Sequence, residues 1–175
     1  MQPGISAKKI GQLEQQFNVH LPDDIKAIYE WHDGAKPTTN YFADFIPIHR
    51  FMPLEDMLEE KAAEAASPAS PAQHLAYRIF AGYRDTWYCL LDDGSGNGYF
   101  FDPTRKPAEG AVFCAFVEDN DFTFFPSPKN MMAGIAKCYE QGAYRVKPGS
   151  SPLELVEDFD QSTKIWSEFG ASNHQ

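Results

Sequence analysis

Apolar positions recur every three or four residues over the first third of the chain and in short β-like runs through the middle, so helices are predicted to precede strands. Ile10, Leu13 and Phe17 follow Ser6, a good N-cap, and predict an amphipathic helix over 7–18. The segment LPDDIKAIYEWHDG predicts a second. Pro22 suits a first turn, Asp23 and Asp24 suit the positive end of the helix dipole, and Gly34 suits a left-handed stop at positive φ. On that ground alone, Gly34→Ala costs about 1 kcal/mol. Ile25, Ile28, Tyr29 and His32 share one face. Residues 35–51, which include the aromatic-rich run YFADFIPIHRF, read as a loop leading to a short strand. Pro53 to Ala66 reads as a third helix, broken by SPASPA at 67–72.

From Tyr77 to Phe125 the pattern becomes β: AYRIFAG, TWYCLL, GYFFD, AVFCAFVE and FTFF, separated by DDGSGNG and DPTRKPAEG. Short sequential strands with short connections predict an antiparallel meander. Ser127 and Pro128 open a helix running to Gly142, and Ser151, Pro152 and Glu154 read as a capping box for a last one. On that last helix Leu155, Phe159, Ser162, Trp166 and Phe169 share a face whose apolar members are expected to meet the core. Helices, then strands, then helices is the order of an α+β fold. We expect one domain over 1–175: a helical part with an aromatic loop at 1–66, antiparallel strands at 76–125 and C-terminal helices at 127–169. Its central, mainly antiparallel sheet should hold about five to six strands, with the helices packed on it.

Composition supports a folded chain and narrows its partners. Hydrophobic residues make up 43% and aromatics 14%, too apolar for a disordered segment. The formal net charge of -10 repels a phosphate backbone, which argues against direct nucleic-acid binding, and attracts a basic protein. MQPGISAKKIGQL has no signal-peptide core and no window approaches a membrane span, so the expected compartment is the cytoplasm. Cys89, Cys114 and Cys138 are odd in number, widely spaced and flanked by apolar residues, the pattern of buried reduced thiols.

No catalytic constellation emerges from the residue types that could carry one. GSGNG at 94–98 lacks the spacing of a phosphate-binding loop and leads into a strand, which makes it a hairpin turn. His20, His32, His49, His74 and His174 form no HExxH pair and the cysteines no CxxC. A nonlocal site built from His32, His49 and a carboxylate stays open on spacing alone. Cys89 and Cys114 fall inside strand patterns, and no GxSxG elbow is present. Asp92 with Asp93, and Asp119 with Asp121, resemble acid/base pairs by count but fall in predicted turns. The aromatic runs at 41–42, 87–88, 99–101 and 122–125 lack the basic groove of a base-stacking site and read as core. We therefore expect no catalytic residue, no metal and no cofactor.

Several phrases, in order, resemble the SUKH superfamily. LPDDIKAIYEWHDG resembles its N-terminal signature, with Leu21, Pro22, Ile25, Tyr29 and Gly34 in the matching places. FIPIHRFMPLEDM is similar to the segment before the next helix, and WYCLLDDGSGNGYFFD to the central hairpin. FPSPKNMMAGIAKCYEQGAY resembles the late helix, and FDQSTKIWSEFGA a C-terminal extension. A departure is FAGYRD, where many members carry a more polar, Gly-rich turn. The resemblance implies a binding scaffold without catalysis: a bacterial immunity protein that neutralises a polymorphic or contact-dependent toxin of nuclease or deaminase class. The alternatives are an intracellular regulator or scaffold like the fungal Smi/Knr-type cell-wall assembly proteins, or a small-ligand binder. For a basic toxin partner, the candidate contacts are the acids Glu118, Asp119 and Asp121, in a stretch without Lys or Arg from Pro107 to Pro128, and the rings of Tyr41 and Phe42. The plain reading of that acidic stretch is a solvated hairpin turn.

Overall fold

A computed structural model describes residues 1–35, 45–66, 86–95, 97–105, 112–115, 122–151 and 154–174. In chain order the helices are α1 (Ala7–Phe17), α2 (Asp23–Trp31), α3 (Leu54–Ala66), α4 (Pro128–Glu140) and α5 (Phe159–Glu168). The strands are β1 (Arg50–Phe51), β2 (Tyr88–Asp92), β3 (Gly98–Phe101), β4 (Val112–Ala115), β5 (Phe122–Phe125), β6 (Tyr144–Val146), β7 (Leu155–Glu157) and β8 (Ser172–His174). The predicted strand at 76–82 and the break at 67–72 lie outside the described residues.

Six strands form one sheet in the order β1-β2-β3-β4-β5-β8, and every neighbouring pair is antiparallel. The fold is α+β with an antiparallel meander at its centre, as the run of short alternating segments implies. β6 and β7 make a separate hairpin. Alternation sorts the rings of the central strands onto two faces. Tyr99, Phe101, Val112, Cys114 and Phe125 enter the core beside Ile10, Leu13, Ile25, Tyr29, Met57, Ile135 and Ile165 from the helices. The opposite face carries Trp87, Phe100 and Phe113, also buried, with the Trp87 and Phe113 ring centroids 3.9 Å apart. β3 is thus buried on both sides. The rings at 87, 99–101 and 125 are structural, as the sequence implies.

Local signals set most helix boundaries. The Ser6 side chain accepts from the Lys9 amide, and the Ser127 side chain accepts from the Asn130 amide with Pro128 in the first turn. Two expectations need correction. α2 ends because His32 turns to an extended conformation, φ -149, so His32 does not share the helical face. Gly34 does have positive φ, +67, but lies beyond that stop. The last helix begins at Phe159 rather than near Ser151, because the Asp158 side chain caps it by accepting from the Gln161 amide. Leu155 belongs instead to β7, paired with Val146, and Phe159 is 73% exposed, so neither packs as predicted. The buried face of α5 is built by Ser162 and Ile165, with Trp166 and Phe169 packed against the core.

Candidate interaction surface

The signature Leu21, Pro22, Ile25, Tyr29, Gly34 comes together as a structural clasp. Leu21, Ile25 and Tyr29 are fully buried, and Pro22 stands immediately before the first turn of α2. The Leu21 amide donates to Glu14 Oε1 at 2.8 Å, and Lys26 reaches the same oxygen at 3.1 Å. Burial opposes the charge on Glu14, but these two donors outweigh it and hold the carboxyl below its usual range. At the other end Tyr29 Oη donates to the Met52 carbonyl at 3.0 Å. Asp33 Oδ1 accepts from the Leu54 amide at 2.9 Å, which caps α3 from a residue distant in sequence. Gly34 lets the backbone pass against Met52 and Pro53. Glu14, Leu21 and Lys26 thus tie α1 to the start of α2, and Tyr29, Asp33 and Gly34 tie the end of α2 to the start of α3.

Several of the residues considered for chemistry are occupied otherwise, while His74, Asp119 and Asp121 lie outside the described residues. Asp92 Oδ1 accepts from the Gly94 amide, and Asp93 accepts from the amides and side chains of Ser95 and Asn97. These bonds outweigh burial and keep the Asp93 carboxyl below its usual range, so both acids shape the β2–β3 turn. Burial pushes the Cys114 thiol up to about 12 and Cys138 to about 11, which holds both protonated at neutral pH. Cys89 is only partly buried, unlike the other two, because it sits at an irregularity in the β2–β3 register, with Sγ 3.4 Å from the Leu91 carbonyl. Among the described residues no three of His, Cys, Asp and Glu converge as a metal would require. His32 Nδ1 donates to the Gln2 carbonyl at 2.7 Å.

Sequence reasoning passed over a feature at residues 45–49. The Ile46, Pro47, Ile48, His49 turn closes through the His49 amide, which donates to the Ile46 carbonyl at 3.1 Å. Ile48 occupies the third position with φ +62, a place where such turns take Gly or Asn. Pro47 announces a turn, but a β-branched third residue argues against this one. The Tyr139 hydroxyl, from the end of α4, donates to the Phe45 carbonyl at 2.6 Å and holds the turn from outside. Ile48 is 49% exposed and Tyr139 40% exposed. The contacts proposed from the sequence, Tyr41, Phe42, Glu118, Asp119 and Asp121, lie outside the described residues.

His49 anchors the turn to the core. Its ring packs edge-on against Tyr99, Nδ1 donates to the Pro47 carbonyl at 3.1 Å, and Nε2 is buried without a partner among the described residues. Burial lowers its pKa below the usual value, and the Pro47 carbonyl, Asp93, Asp92 and Glu157 offset this only in part. A depressed folded-state pKa means that the unfolded chain binds the proton first. Stability from this residue is therefore complete above about pH 6.5 and is lost as pH falls through the folded value. In urea titrations at pH 7.5, 6.5 and 5.5 the wild type should lose up to about 1.4 kcal/mol per pH unit more than His49→Gln. Equal pH slopes for the two would show that His49 titrates as in water.

Comparison with known proteins gives the family. A family model described as the SMI1/KNR4 family (SUKH-1) matches residues 4–131, well over half of the chain. The chain belongs to that family. Within SUKH-1 terms, the matched region runs from the segment before α1 through the sheet to the first turn of α4. The β6–β7 hairpin, α5 and β8 follow it, so the sixth strand of the sheet is built from residues beyond the match. SUKH-1 membership supports an immunity-protein or Smi1/Knr4-type role in general. No curated protein matches the chain. No helix among the described residues is long and apolar enough to cross a membrane.

Proposed function

We propose that this SUKH-1 protein is a non-catalytic binding module, an immunity protein that binds and neutralises a cognate toxin domain of nuclease or deaminase class in the cytoplasm. The observation that carries this reading is the family match over residues 4–131. Two features support it. Asp92 and Asp93 are committed to the β2–β3 turn, burial keeps Cys114 and Cys138 protonated, and the net charge of -10 favours a basic partner. A toxin that handles nucleic acid carries a basic surface for that purpose, which an acidic protein can occupy. The proposed acidic contacts are Glu118, Asp119 and Asp121, with Tyr41 and Phe42 as apolar anchors.

The test takes the product of the reading frame adjacent to this chain's gene as bait in a pull-down and, as a candidate toxin domain, in an activity assay. Stoichiometric binding that abolishes toxin activity is the expected result, and no binding refutes the reading. Once binding is in hand, replacing both Asp119 and Asp121 with Lys should slow association about tenfold or more at low ionic strength and much less at high salt, because steering is screened. Unchanged association at low salt would remove that stretch from the interface.

A further inference from the structure

The turn at 46–49 combines three properties that folding alone does not bring together. Its third residue holds a left-handed backbone, φ +62, which is strained for a β-branched side chain. That side chain is about half exposed, so burial in the core does not fully account for choosing Ile over Gly or Asn. The turn is also held in place from both sides, by the Tyr139 hydroxyl on the Phe45 carbonyl and by the buried His49 ring against Tyr99. A strained residue with a rigid support and an exposed apolar tip is a pre-organised anchor: binding loses little conformational freedom there.

We propose that Ile48 is an anchor residue of the partner interface, with the exposed Tyr139 beside the turn, and that it enters an apolar pocket rimmed by basic residues on the toxin domain. The inference rests on the binding role proposed above and deepens it by naming the contact. Charge identifies the occupant. The chain carries -10 as a whole; beside the turn Asp92 is paired with Arg50 at 3.7 Å and Asp93 is bonded within the β2–β3 turn, so the complementarity is that of the whole chain. A basic rim is complementary to that field, while a second copy of this acidic chain would be repelled.

Ile48→Gly and Ile48→Asn test this, since both residues accept positive φ and both remove the apolar tip. Melting temperature and affinity for the same toxin-domain protein are measured on each. Melting should be unchanged or higher, while affinity falls about tenfold or more, the loss typical of a central contact. A marked fall in melting temperature for both variants would show that Ile48 works in folding and overturn the proposal. Wild-type affinity in both variants would overturn it too, leaving the immunity role intact. Absence of binding by the wild-type protein would overturn the role and the anchor together. Sedimentation of the protein alone covers the remaining occupant: a dimer that Ile48→Gly dissolves, with toxin binding unaffected, would assign the face to self-association.

Discussion

Gly34→Ala should destabilise the fold by about 3–4 kcal/mol, well beyond the conformational cost of a left-handed residue alone. Two effects add at this position. At φ +67 any Cβ is strained, and here it would lie 2.4 Å from the Pro53 nitrogen and 2.6 Å from the Met52 carbonyl carbon. Both are backbone atoms in the segment that receives the Tyr29 hydroxyl and leads into α3, so neither can rotate away. Gly142→Ala provides the comparison. Gly142 has φ +76, but no described atom lies within 4 Å of where a Cβ would stand, and the substitution should cost only about 1 kcal/mol. Urea denaturation of both variants separates the contributions. Equal losses would mean that the approach to Met52 and Pro53 relaxes freely.

Phe125→Ala should be of similar or greater size, about 3–5 kcal/mol. Phe125 is fully buried at the end of β5, and its ring meets Trp166 of α5 edge-on at 5.4 Å. Trp166 in turn meets Tyr99 of β3 at 5.8 Å, so one side chain links the sheet to the helix that follows the family match. The truncation leaves a cavity between two elements rather than within one. Chemical denaturation followed by Trp fluorescence should therefore show a lower midpoint. A loss under about 1 kcal/mol would mean that the surrounding rings collapse into the space.

The parts of the fold that were legible in sequence are those whose signals are local. Ser6 and Ser127 mark helix starts within one turn, and the Asp-Gly run at 92–94 marks a hairpin between two aromatic strands. Contacts between distant residues left no such mark: the Asp33 cap on Leu54 and the passage of Gly34 against Met52 depend on the tertiary approach. The β6–β7 hairpin was hidden for a different reason. Its strands are three residues each, too short for alternation to show, and its connecting turn imitates a helix start. Of the apparent capping box, Glu154 gives its amide to the Ser150 hydroxyl and pairs its carboxylate with Lys147 at 2.8 Å, so it joins the two ends of the hairpin connection instead. For the site, the sequence pointed to acids and rings at 118–121 and 41–42 by charge and composition. It could not mark Ile48, because what distinguishes that residue is a backbone angle its side chain disfavours.

The position of β8 has a consequence during synthesis. The meander from β2 to β5 can pair as it emerges, since each strand follows its neighbour in the chain. The outer edge of β5 is different, because its partner ends at His174, forty-nine residues after Phe125. At about 5–20 residues per second, translation leaves that edge unpaired for roughly 2.5 to 10 seconds. The exposed strand reads Phe-Thr-Phe-Phe, an apolar β-forming template open to a neighbouring nascent chain. Yield of the folded protein should thus depend on how densely ribosomes load its message, even though the finished sheet has that edge covered.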